Sequence, residues 1–208
     1  MRMAALALLL PLMSAVQALA ASPLTPSRPQ RPEQASLRTI QPRGSMAPPI
    51  PAALHHTCFI VRDLEATARR LSESLGIGPW TISLLEPTRS RVHGKESPFS
   101  FRVALATVGG GIFELVTPHS GRSVYDEQLE KHGEGFHHVC LTYPSLEAVR
   151  EAKAELLRQG REMIQEAGSG DLFEFAYFVF PEIGSAVEVL YLDPSKMPPP
   201  EATLGVPA

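Results

Sequence analysis

Two short phrases of the chain hold imidazoles at a spacing that could bind a divalent metal ion. Leu54-His55-His56-Thr57-Cys58 and Phe136-His137-His138-Val139-Cys140 match at an offset of 82, and the same offset superposes Leu64-Glu65-Ala66 on Leu146-Glu147-Ala148. Six identities in thirteen positions mark an internal repeat, and a repeated unit dictates the fold. Side chains alternate along a strand, so His56, Cys58 and Ile60 share one face, with His138 and Cys140 in the equivalent places. His55 and His137 are expected to point the other way, as packing or hydrogen-bonding groups. Further along each half a carboxylate interrupts an apolar run: Ile112-Phe113-Glu114-Leu115-Val116 and Ala186-Val187-Glu188-Val189-Leu190. A buried ionised carboxylate is costly unless it is paired or holds a cation. Two imidazole nitrogens with two carboxylate oxygens make a borderline donor set suited to one divalent ion, Zn, Ni, Co, Mn or Fe.

The elements that must position these residues read alike in both copies. His55–Val61 is a β-rich run, Asp63 is a helix N-cap, and Leu64, Ala68, Leu71 and Leu75 form an apolar stripe that stops at Gly76. In the second copy Leu141–Tyr143 finishes a strand, Ser145 caps, Leu146, Val149 and Leu156 make the stripe, and Gly160 terminates it. Three β-like segments follow each helix: Trp80–Leu85, Phe99–Thr107 and Gly111–Val116, then Arg161–Gln165, Leu172–Phe180 and Ala186–Leu192. The fold class is therefore α+β, two βαβββ modules. Each covers only one face of its sheet with a helix, so the two should pair around a concave metal-binding cavity.

Composition bounds the rest. Hydrophobic residues make up 44% of the 208 and charged residues 20%, which suits a packed globular domain. With 19 Lys+Arg against 22 Asp+Glu there is no positive field to draw nucleic acid. Fourteen of the 20 prolines fall in residues 1–53 and 194–208, so the folded domain is expected over 54–193, module one 54–117 and module two 136–193, with 194–208 a Pro-rich tail. Residues 1–21, with Arg2, an apolar run and Ala18-Leu19-Ala20, have the form of a secretory signal peptide, which implies a secreted or periplasmic protein with no mature membrane anchor. Residues 22–53, with four Arg and the single acid Glu33, read as a flexible Pro-rich segment. The alternatives are a start at Met46, which would leave a cytoplasmic protein, or an organelle-targeting leader.

The phrase from Leu54 to Leu64 resembles the opening strand of the vicinal-oxygen-chelate superfamily, which includes glyoxalase I, methylmalonyl-CoA epimerases, extradiol dioxygenases and bleomycin-resistance proteins. Phe136-His137-His138 is similar to its third-ligand motif, and Phe113-Glu114-Leu115 and Val187-Glu188-Val189 resemble the second and fourth. The resemblance spans residues 54–193 and implies the metal set His56, Glu114, His138 and Glu188. It favours the glyoxalase and epimerase branches, and Leu75-Gly76-Ile77-Gly78-Pro79-Trp80 most resembles the epimerase-like one. What it implies for mechanism is chelation of substrate oxygens by the metal, acidification of the neighbouring C–H, and proton movement by a carboxylate. Glu114 and Glu188 are the catalytic candidates by resemblance. Some epimerases use a separate Glu on the third strand of the first half; Phe99–Thr107 carries Arg102 and no acid, and Glu174 is the nearest analogue in the second half.

Arg89 and Arg91 lie in the segment Glu86–Pro98 with His93 and Lys95. They read either as a solvated charge cluster or, with Arg102, as groups that bind a substrate carboxylate or phosphate. Cys58 and Cys140 read as buried thiols. The expected function is a metal-dependent isomerase or lyase acting beside a carbonyl or thioester of a small molecule, in a chain the resemblance makes compatible with a homodimer. The alternatives are a non-catalytic binding or resistance protein and an extradiol-type dioxygenase.

Overall fold

The structure is a computed structural model that describes residues 49–205. The signal-like segment 1–21 and the Pro-rich stretch as far as residue 48 lie outside the described residues. No described helix is long and apolar enough to cross a membrane.

The first module runs β1 (Ala53–Ile60), α1 (Leu64–Leu75), β2 (Trp80–Leu85), β3 (Arg89–Val92), β4 (Lys95–Glu96), β5 (Phe99–Val108) and β6 (Gly111–Gly121). A short helix, α2 (Val124–Lys131), leads to the second: β7 (Gly135–Thr142), α3 (Leu146–Arg158), β8 (Met163–Ser169), β9 (Phe173–Phe180) and β10 (Ser185–Leu192), with β11 (Ala202–Leu204) after it. Local chemistry sets the helix ends. The Asp63 carboxylate accepts the Ala66 amide N–H at 2.9 Å, and Gly76, at φ +68°, closes α1 in a left-handed turn that a side chain would disfavour. The Ser145 hydroxyl caps α3 in the same way at 3.1 Å.

The described strands form one sheet in the order β11-β2-β5-β6-β1-β7-β10-β9-β8-β3-β4. Two βαβββ modules are thus joined through the antiparallel β1–β7 pair. Apolar clusters under α1 (Leu64, Ala68, Trp80, Ile82, Leu115) and α3 (Val149, Ala152, Ala176, Phe178, Val189) cover the outer face. The inner face carries a third cluster, to which α2 adds Val124, Tyr125 and Leu129.

The linking helix α2 was not expected, and neither were two further elements. The segment Glu86–Pro98 folds as the β3–β4 hairpin, and β3 pairs with β8 of the other module. Only residues 86–88 separate β2 from β3, a span of at most about 14 Å, so the two ends of the sheet must curl towards each other. Its arginines, on the face that pairs with Glu166 and Glu174, hid it from a hydrophobicity reading. The tail, expected to be merely Pro-rich, supplies β11, which pairs with β2, and Glu201, which binds Arg102.

Candidate metal centre

Register decides which side chains meet. On the inner face, Glu114 on β6 stands beside Cys58 on β1, which faces His138 on β7. A second row runs from His56 on β1 through Cys140 on β7 to Glu188 on β10 and Tyr177 on β9. The two rows cross at the module seam and bring four donors together from four strands. His56 Nε2 lies 3.1 Å from Glu114 Oε2 and 3.0 Å from Glu188 Oε2; His138 Nε2 lies 3.7 and 3.1 Å from the same oxygens. The two Nε2 atoms are 3.1 Å apart. All four residues are buried.

The donor set fits one divalent ion. Atoms each held about 2.0–2.2 Å from a shared ion lie roughly 3–3.5 Å from one another, close to the spacing seen. Glu188 Oε2 is near both imidazoles yet aligned for a hydrogen bond with neither, which leaves a buried oxygen without a hydrogen-bond partner among the described residues. Such an orphan is expensive as it stands and is explained if the lone pairs converge on a cation.

Electrostatics agree. Burial would lower the His56 imidazole, but the negative charges of Glu114 and Glu188 beside it overcome this and raise the group to about 10. Burial would raise both carboxyls; the two histidines hold both below the ordinary range. Burial, then Glu114, pushes the Cys58 thiol well up, and burial, then Glu188, does the same to Cys140, so both stay protonated and free. The Tyr177 ring lies against His138 at 4.6 Å between centroids, and its hydroxyl is 2.7 Å from that of Tyr125 on α2.

The profile of the Glyoxalase/Bleomycin resistance protein/Dioxygenase superfamily matches residues 55–177, more than half the chain. The chain belongs to this superfamily. Among solved structures of similar fold, a hypothetical protein from Bacillus halodurans C-125 is 19% identical with a TM-score of 0.50, covering 70% of this chain and 98% of that one. A methylmalonyl-CoA epimerase from Mycobacterium tuberculosis is 20% identical at TM-score 0.49, covering 74% and 96%. A variant of the Streptomyces coelicolor methylmalonyl-CoA epimerase in complex with 2-nitronate-propionyl-CoA is 20% identical at 0.46, covering 72% and 100%. No curated protein matches the chain. At these identities a structural likeness speaks of fold alone.

The three arginines read either as substrate-binding groups or as a solvated charge cluster lie on the outer face. Arg102 shares the face of Ala104 and binds Glu65 on α1 and Glu201. Arg89 reaches over Gly168, where a Cβ would lie 2.9 Å from the Phe173 carbonyl oxygen, to pair with Glu174. Glu174 also accepts from Arg150 and Lys153 of α3, and Arg91 faces Glu166 at 3.6 Å. Alternation turns Glu174 away from Tyr177 and the donors, so it is an ion-pair hub and not a base at the centre. The pocket of about 460 Å³ lined by Arg89, Arg91, Lys153, Glu166 and Glu174 belongs to this network. Residues the sequence reading passed over are Tyr125, Tyr177 and Gln165; the last accepts the Val124 N–H at the start of α2, 3.0 Å away, and is buried. Their signal was weak, since tyrosines in apolar runs read as core.

Proposed function

We propose that the chain is a metal-dependent isomerase or lyase that moves a proton beside the carbonyl or thioester of a small molecule. The observation that carries this reading is the convergence of His56, Glu114, His138 and Glu188 with donor spacings of 3.0–3.7 Å. A divalent ion bound there supplies Lewis-acid polarisation of the substrate carbonyl oxygen.

The residues divide the work. Glu188 sits almost equally close to both imidazoles and has 5% of its side chain exposed, so it holds. Glu114 has 11% exposed, and its Oε2 lies 3.7 Å from His138, so it is the looser donor. The next residues outward from it are half-buried Leu105 on β5 and exposed Thr81 on β2, which leave this flank accessible. Glu114 is therefore our choice of base: its carboxylate takes the proton from the carbon next to the carbonyl and returns it to the opposite face or to the neighbouring atom. Epimerase-like and glyoxalase-like reactions differ in that second step. With Glu174 committed to three cations on the other face, no carboxylate outside the donor set is needed.

Elemental analysis of the purified protein, followed by solvent-deuterium incorporation into a panel of α-hydroxycarbonyl compounds and acyl thioesters, tests this reading. About one divalent ion per chain and metal-dependent exchange are expected. Metal binding without exchange on any substrate would instead mark a protein that sequesters its ligand, and exchange that persists in metal-free protein would overturn the role of the ion.

A further inference from the structure

The two histidine pairs carry an inference that rests on the metal-centre reading above. His55 and His137 are not among the four donors, and plain alternation would turn both away from them. Each sits instead in a β-bulge. In the β1–β7 ladder Leu54 faces Leu141 and His56 faces Cys140, which leaves His55 with no opposite residue. Cys58 faces His138 and Phe59 faces Phe136, which leaves His137 in the same situation. A bulge kinks its strand and re-aims side chains. Here it brings consecutive imidazoles together: His55 Nδ1 is 2.8 Å from His56 Nδ1, and His137 Nδ1 is 2.8 Å from His138 Nδ1. The same irregularity at equivalent places in a repeat is one device used twice.

Proton placement follows from valence. His56 and His138 aim Nε2 at the shared centre. A nitrogen that gives its lone pair to a cation carries no proton, so in the neutral ring the proton is on Nδ1. The atom placed to accept it is Nδ1 of the preceding histidine, which must present a lone pair and keep its own proton on Nε2. We propose that His55 and His137 are positioning residues that accept the Nδ1–H of His56 and His138, fixing the tautomer and ring angle of the two metal-facing imidazoles. Such outer partners are worth about 10–100-fold in metal affinity. The copies are not equal. His137 is buried between the rings of Tyr125 and Tyr177, at 5.8 and 5.2 Å, whereas His55 is half-exposed and water can stand in for it.

The test uses the full chain and Zn²⁺. Long-range ¹H–¹⁵N correlation spectra of the zinc-loaded wild type should show His56 and His138 protonated on Nδ1, and His55 and His137 on Nε2. In chelator-competition titrations His137→Phe should bind Zn²⁺ about 10–100-fold more weakly and His55→Phe should fall at the low end of that range. His137→Asn and His55→Asn, whose amide oxygen can accept in place of Nδ1, should recover most of the loss. His55→Phe changes a half-exposed site and keeps the experiment readable if His137→Phe fails to fold. A proton on Nδ1 of His55 or His137, or phenylalanine variants that bind as tightly as wild type, would overturn this inference alone. Wild-type protein that takes up no Zn²⁺ would overturn the metal-centre reading and this one with it.

Discussion

Behind Glu188, the next two strands of the second module present Tyr177 and Gln165, both buried; behind Glu114, the corresponding strands of the first module present half-buried Leu105 and exposed Thr81. The donors themselves repeat faithfully: a bulged histidine pair, a cysteine two residues on, and a glutamate in the neighbouring parallel strand. The repeat therefore yields a symmetric set of candidate donors, and the surroundings break the symmetry. One copy grips, wrapped in aromatic rings and tied to α2; the other leaves its carboxylate room to move. Under the proposed function, binding an ion and turning over a substrate make opposite demands on rigidity, and each demand would fall to its own half.

The sharpest way to break this comparison is to exchange the carboxylates for amides. Glu114→Gln should keep the ion and slow deuterium exchange by about 10²–10⁴-fold, the usual weight of a positioned base. Glu188→Gln should lose the ion itself, with affinity down by at least the roughly 100-fold that outer-shell changes reach. Metal content and exchange measured on both variants would show equal behaviour if the halves were equivalent.

A smaller effect probes the outer face of the second module. Glu174→Gln removes the negative charge shared by Arg89, Arg150 and Lys153 and turns one acceptor oxygen into a donor, and should cost about 2–3 kcal/mol in urea unfolding at pH 7. Burial would raise the Glu174 carboxyl, but Lys153, Arg89 and Arg150 hold it below its ordinary value. A depressed carboxyl contributes stability that is complete above the unfolded value near 4.5 and is lost as pH falls through the lower folded value. Wild type and Glu174→Gln should therefore begin to converge as pH falls through 4.5 and meet only below the depressed folded value. The first module's outer pair, Arg102 with Glu65 and Glu201, is more exposed, and Glu65→Gln should change stability by less than about 1 kcal/mol. Comparable in size, Tyr125→Phe removes the hydroxyl bond to Tyr177 and should cost about 1 kcal/mol. A double-mutant cycle with Tyr177→Phe would show whether α2 is tied to the second module through that bond.

The βαβββ architecture was legible because it depends on short-range signals. The Asp63 and Ser145 caps and the alternating strands act within a few residues and appear where the pattern put them, apart from the strand read over Arg161–Gln165, which runs Met163–Ser169. The four candidate donors were legible for the same reason, since a carboxylate inside an apolar strand is a local contradiction. What was not legible depends on departures from regularity or on distant partners. The strict period of two placed His55 and His137 on the wrong face because a bulge adds a residue that no periodicity counts. Arg89, Arg91 and Arg102 looked available because their acids, Glu174, Glu166 and Glu201, come from remote parts of the chain. Strand β3 resembled a loop because its partner, β8, lies in the other repeat.

That last strand limits how the molecule can breathe. Since β3 leaves the rim of one repeat and is stitched onto the far rim of the other, the two repeats cannot splay like the covers of a book without unzipping that ladder. A polypeptide severed between the repeats would strand the outermost staves of one with the other.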